Sequence, residues 1–128
     1  MPEVFEHQVY RWVNTITDAA PSIHILTGSG TRSIAEMSHS EVSRNQGWKV
    51  ATAITDLADI PNAEVSLVGV SSLRGSHYAT LIREEASEVI VDFTASQFSR
   101  HAPFPVVMDK ETWQVWVQKF LGDTQWID

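Results

Sequence analysis

Between residues 47 and 93 the spacing of apolar residues switches from one period to another, and this limits the folds open to the chain. From Gly47 to Asp59, the residues Val50, Ala51, Ile54, Leu57 and Ala58 fall at helical spacing and form one stripe. Pro61-Asn62 stops that helix. Beyond it the period becomes two: Val65, Leu67 and Gly69 alternate with Ser66, Val68 and Val70, as in a strand. Arg74-Gly75-Ser76 breaks the strand, and His77 to Arg83 and Glu88 to Phe93 form two more around the polar turn Glu84-Glu85-Ala86-Ser87. Connections this short join antiparallel neighbours, because a parallel crossover needs a dozen residues or more. The order is a buried helix and then an antiparallel meander, which predicts an α+β fold with helices packed on a small antiparallel sheet.

The flanks fit that frame. Residues 3 to 18 place Phe5, Val9, Trp12, Val13 and Ile16 on one face, an amphipathic first helix that ends at Asp18 to Pro21. Ser22 to Thr27 is a short strand or a buried connection, and Gly28-Ser29-Gly30 is a flexible loop. Ser33 to Ser43 is Ser-rich, with weak helical character, and is expected to border a site. Pro103 and Pro105 exclude regular structure around them. Lys110 to Leu121 carries Trp113, Trp116, Val117 and Phe120 as a final helix ending at Gly122. There is no internal repeat or low-complexity linker, and 128 residues suit one domain spanning 1–128.

The formal net charge of -7 argues against a nucleic-acid backbone or an anionic membrane as the main partner. The chain has no cysteine, so disulfides and thiolate metal sites are ruled out. The first residues, Met1 to His7, lack the basic and apolar regions of a signal peptide. The expected location is therefore the cytoplasm. His7, His24, His39, His77 and His101 show no metal-ligand spacing, and Gly28-Ser29-Gly30 lacks the Gly-Lys-Ser/Thr of a phosphate loop. No cofactor is expected.

One constellation carries chemistry. His77 opens a strand and Asp92 ends the next. With Glu85-Ala86 as the turn centre, Asp92 lies opposite Ala79 and His77 projects from the same face, a diagonal neighbour. A slip of one residue would separate them. A carboxylate that orients an imidazole is the usual support for a nucleophile. Gln97 either caps the turn after the strand or contacts His77 or a substrate. Asn45 and Gln46 precede the helix at Gly47; their side-chain amides could serve as oxyanion donors or as caps. Trp48 is expected to pack in the core rather than form a substrate platform. Ser43, about a helical turn before Gly47, is a weak substitute nucleophile.

Three blocks in this order carry a resemblance. Asn45-Gln46-Gly47-Trp48-Lys49-Val50-Ala51 is similar to the Gln-Cys-Trp block of papain and transglutaminase-type enzymes, with Gly47 where the Cys would be. Gly75-Ser76-His77-Tyr78-Ala79 corresponds to the His block. Val91-Asp92-Phe93-Thr94-Ala95-Ser96-Gln97-Phe98, followed by Ala102-Pro103-Phe104-Pro105, resembles the Asp block of bacterial papain-like-fold toxin and effector domains, a group that includes glutamine deamidases. The resemblance spans roughly residues 40 to 108. It implies a papain-like fold, a protein substrate, delivery into a target cell as an effector as the alternative to a cytoplasmic location, and a Cys-His-Asp triad in which His77 takes the thiol proton and Asp92 holds the ring. Without the Cys, Gly47 implies an inactive form. Either the substitution silences a deamidase, protease or transglutaminase, or the domain is a natural pseudoenzyme. An interaction domain with no enzymatic history is a further alternative, favoured if Trp113, Trp116 and Trp126 are exposed. The oligomeric state is left open.

Overall fold

The computed structural model describes residues 2–127, with side chains from residue 5. Helix α1 (Pro2–Ala19) leads into a short hairpin, β1 (His24–Thr27) and β2 (Gly30–Ser33). A 3-10 turn at Glu36–Ser38 and the one-turn helix α2 (Ser40–Ser43) bring the chain to α3 (Gly47–Asp56). The meander follows as β3 (Glu64–Ser72), β4 (Gly75–Glu84) and β5 (Ser87–Asp92). A further 3-10 turn, Ala95–Gln97, precedes β6 (Val106–Asp109), α4 (Lys110–Leu121) and β7 (Gln125–Trp126). The main sheet has five antiparallel strands in the order β6-β5-β4-β3-β7. The architecture is α+β, with four helices and two antiparallel sheets.

Strand alternation divides the core. On one side of the main sheet, Ile82 of β4 and Val91 of β5 join Val50 and Ile54 of α3 and the stripe Phe5, Val9, Trp12, Val13 and Ile16 of α1. On the other, Val70, Ala79, Leu81 and Ile90 pack against Trp113 and Val117 of α4. Each buried aliphatic side chain contributes about 1.5–3 kcal/mol by leaving water, so both helical layers are held mainly by their apolar stripes. Thr55 of α3 and Thr80 of β4 are hydrogen bonded through their hydroxyls at 2.9 Å, a polar tie within the first layer. Gly69 faces Tyr78 across the β3–β4 ladder, where a Cβ would come within 2.5 Å of the tyrosine ring.

The β4–β5 ladder runs from Thr80↔Val91 to Glu84↔Ser87, the register expected from a turn centred on Glu85-Ala86. Helix α4 has the expected bounds; Asp109 caps its start by accepting from Thr112 N–H, and Gly122 ends it at φ 78°. Other expectations are corrected. Helix α3 stops at Asp56 rather than Asp59, and Leu57, expected on its apolar stripe, is exposed just past the end. Strands β2, β6 and β7 were not expected. The first is polar, the second is four residues long and follows the proline segment, and the third is two residues long. Among the described residues, no helix is long and apolar enough to cross a membrane.

Candidate functional site

His77 and Asp92 are directly paired. His77 Nε2 lies 2.7 Å from Asp92 Oδ2, and each residue is only 1% exposed. An ionised carboxylate can only accept, so Nε2 carries the shared proton. Two more donors converge on Asp92. Trp113 Nε1–H donates to Oδ2 at 3.0 Å from α4, and Thr94 N–H donates to Oδ1 at 2.9 Å from the turn just after β5. Burial alone would push the Asp92 carboxyl up. The charge and hydrogen bond of His77, with the bonds from Trp113 and Thr94, outweigh it and hold the carboxyl below the usual carboxylate value. The imidazole is also braced by aromatic neighbours: Trp113 stacks at 5.7 Å and Phe98 meets it edge-on at 4.7 Å.

Gly47 is the first residue of α3 and is buried. A Cβ placed on it would sit 3.2 Å from His77 Nδ1 and 3.4 Å from Thr94 Oγ1. Position 47 therefore abuts the ring nitrogen that Asp92 does not hold, and His77 or Thr94 must give by a few tenths of an ångström to admit a side chain there. The first turn of α3 contains no acidic residue, and Gln46, at the N-cap position, makes no side-chain cap bond. An anion forming at position 47 would meet the unfilled N–H groups of a ten-residue helix.

Gln97 is the other neighbour of His77 Nδ1. Its Nε2 lies 2.9 Å from that nitrogen and 3.5 Å from Thr94 Oγ1, and its Oε1 accepts from Asn45 N–H at 3.4 Å. Asn45 adopts φ 64°, in the left-handed region that asparagine tolerates better than most residues. That conformation turns the chain between α2 and α3. Gln97 thus contacts His77, and its bond to Thr94 also ties the turn after β5.

The remaining candidates divide. Asn45 reaches the site through its backbone N–H rather than the expected side-chain amide. Gln46 has a buried Oε1 with no hydrogen-bond partner and makes no bond to His77 or Asp92. Trp48 is not in the core: it is 54% exposed, because the buried face of α3 is Gly47, Val50, Ala51 and Ile54, and position 48 lies off that stripe. Ser43 is buried and bonded to Ser40 O and Ser96 Oγ, so its hydroxyl ties α2 to the Ala95–Gln97 turn rather than acting as a substitute nucleophile. Trp113 is fully buried, and Trp116 and Trp126 are half-buried, which removes the expected mark of an interaction surface. Sequence reasoning missed three contributors to the site: Thr94, Phe98 and Trp113. For Thr94 a signal existed, since a residue two positions after an aspartate commonly donates its N–H to that carboxylate. Among the described residues, no group of three or more acidic or histidine side chains is placed to hold a metal ion.

Comparison of the chain with protein-family models, with curated proteins and with solved structures gives no match.

Proposed function

We propose that this domain has a papain-like fold and carries the centre of a cysteine hydrolase of the bacterial toxin and effector type, with Gly47 in the nucleophile's place. One observation carries this reading: the Cβ direction at Gly47 meets His77 Nδ1 at 3.2 Å, while His77 Nε2 is held by Asp92 at 2.7 Å. The two ring nitrogens are thus divided between a nucleophile position and an orienting carboxylate, which is the logic of a triad.

In the form bearing a thiol, His77 Nδ1 would take the thiol proton. The sulfur would then attack the carbon of a carboxamide, forming the C–S bond. The imidazolium would return the proton to the leaving nitrogen as the C–N bond breaks and ammonia departs. Water would next attack the thioester, His77 taking its proton and passing it to the sulfur, to give a carboxylic acid and the free thiol. Asp92 would hold the ring throughout. Among the reactions that share this route, deamidation of a protein glutamine is preferred to peptide cleavage or transglutamination. The Asp-block resemblance points that way, and so does the chain's size, since 128 residues leave little room for an extended two-lobed cleft. With glycine at position 47, the chain has no group to form the covalent intermediate and does not turn over.

The test is Gly47→Cys. Its thiol is expected to titrate below the free value of about 8.5, followed by iodoacetamide labelling against pH, and the depression should shrink in Gly47→Cys/His77→Ala. Mass spectrometry of candidate protein substrates should show glutamine converted to glutamate by the cysteine form alone. A thiol titrating at the free value and indifferent to His77 would overturn the reading. Turnover by the glycine form would overturn the claim of inactivity.

A further inference from the structure

We infer that the chain holds a receptor for a primary carboxamide beside His77 and that Gln97 is its built-in occupant. The inference rests on the deamidase-type reading of this centre and identifies the group the site grips.

The argument is an accounting of donors and acceptors. Asp92 takes the proton on His77 Nε2, so in the neutral ring Nδ1 is a bare acceptor. The Thr94 hydroxyl oxygen, a second atom able to accept, stands 3.5 Å from Gln97 Nε2. On the other side Asn45 offers a backbone N–H, which can only donate. The site thus presents two acceptors on one side and one donor on the other. A primary carboxamide is the complement, with two N–H donors on its nitrogen and a carbonyl oxygen as acceptor. A carboxylate has no proton to give and would face two acceptors. A secondary amide has only one N–H.

The same accounting fixes the orientation of Gln97. Turning its amide over would place NH2 against the Asn45 N–H and an oxygen against the bare Nδ1, two mismatches in place of two bonds. Gln97 is half-buried, whereas His77 and Thr94 beneath it are each 1% exposed. The glutamine is therefore the outer cover of this receptor, and shortening it would open the receptor to solvent.

The experiment uses the full glycine-bearing chain, labelled with 15N, and follows the two ring nitrogens of His77 by NMR. In the unaltered chain Nε2 should be of the protonated type and Nδ1 of the bare, hydrogen-bonded type. In Gln97→Ala the Nδ1 resonance should shift. Titration with propionamide or N-acetylglutamine should return it towards its original position in a saturable way, while propionate and N-methylpropionamide should leave it in place. Gln97→Glu, which keeps the shape and removes both donors, should move the Nδ1 resonance even if Gln97→Ala fails to fold. The proposal is overturned if Nδ1 is the protonated nitrogen in the unaltered chain, if Gln97→Glu leaves both ring nitrogens unchanged, or if the carboxylate or secondary amide acts as strongly as propionamide. None of these readouts uses a thiol. Failure here would leave the labelling test of Gly47→Cys intact, and the reverse also holds.

Discussion

Replacing Asp92 by asparagine tests the central pair without changing its shape. Three N–H donors converge on the carboxylate: His77 Nε2–H and Trp113 Nε1–H on Oδ2, and Thr94 N–H on Oδ1. Asparagine offers one oxygen and an NH2. With the oxygen towards His77 and Trp113, the NH2 meets the Thr94 N–H; turned over, it meets both of the others. At least one buried donor is left unpaired, at a cost of about 1–3 kcal/mol, and the remaining bonds lose their charge assistance, roughly another 1 kcal/mol each. Part of this is offset because a buried charge no longer has to be desolvated. The imidazole and the converging donors hold the carboxyl below its ordinary value against its burial, so the offset is expected to be incomplete. The expected loss at neutral pH is about 2–4 kcal/mol, a fall in Tm on the order of 10 °C. The pH dependence has a definite sign. A carboxyl whose folded pKa is depressed contributes its stability above the unfolded value of about 3.9 and loses it as pH falls through the lower folded value. The gap between the two proteins should therefore be full at neutral pH and close in acid. Urea denaturation followed by circular dichroism at a series of pH values measures both features. A loss under about 1 kcal/mol at neutral pH, or a gap that persists once Asp92 is protonated, would refute this account.

Trp113→Phe keeps an aromatic ring against His77 but removes the indole N–H from Asp92, so it should cost about 1.5–3 kcal/mol in denaturant melts and raise the Asp92 pKa, readable by carboxyl NMR titration. Gly69→Ala drives a methyl to within 2.5 Å of the Tyr78 ring and should cost about 1–3 kcal/mol; a double-mutant cycle with Tyr78→Ala should show coupling of at least about 0.5 kcal/mol.

The fold was legible where pattern and turn chemistry agree. The register of β4 and β5 follows from one short turn, and with it the shared face of His77 and Asp92. Helix α4 could be read from its aromatic spacing and its terminal glycine. What escaped were elements without a pattern of their own. β2, Gly-Thr-Arg-Ser, has no apolar alternation and is a strand because β1 lies beside it. β6 and β7 are too short to show a period and are strands because β5 and β3 have open edges. Trp48 faces outward although its aromatic character suggests a core position: Gly47, Val50, Ala51 and Ile54 form the buried stripe, and a tryptophan one residue off its start lies outside it.

The site shows the same division at closer range. His77 and Asp92 could be paired from parity because two adjacent strands hold them, and strand geometry is periodic. Gln97, Asn45 and Trp113 obey no such rule. Gln97 reaches His77 from a 3-10 turn, the Asn45 N–H is aimed by a single left-handed residue, and Trp113 arrives from a helix on the far side of β6 in sequence. Each supplies a proton at a defined place, and their joint meaning depends on what each proton finds there. The N–H of Trp113 makes Asp92 a firmer anion. That anion holds a proton on His77 Nε2, so in the neutral ring Nδ1 is the acceptor that faces the Gln97 amide nitrogen. The chain of dependence runs from the α4 layer, through the sheet, to the start of α3. A change at Trp113 should therefore be felt at the carboxamide, although the two residues have no hydrogen bond between them.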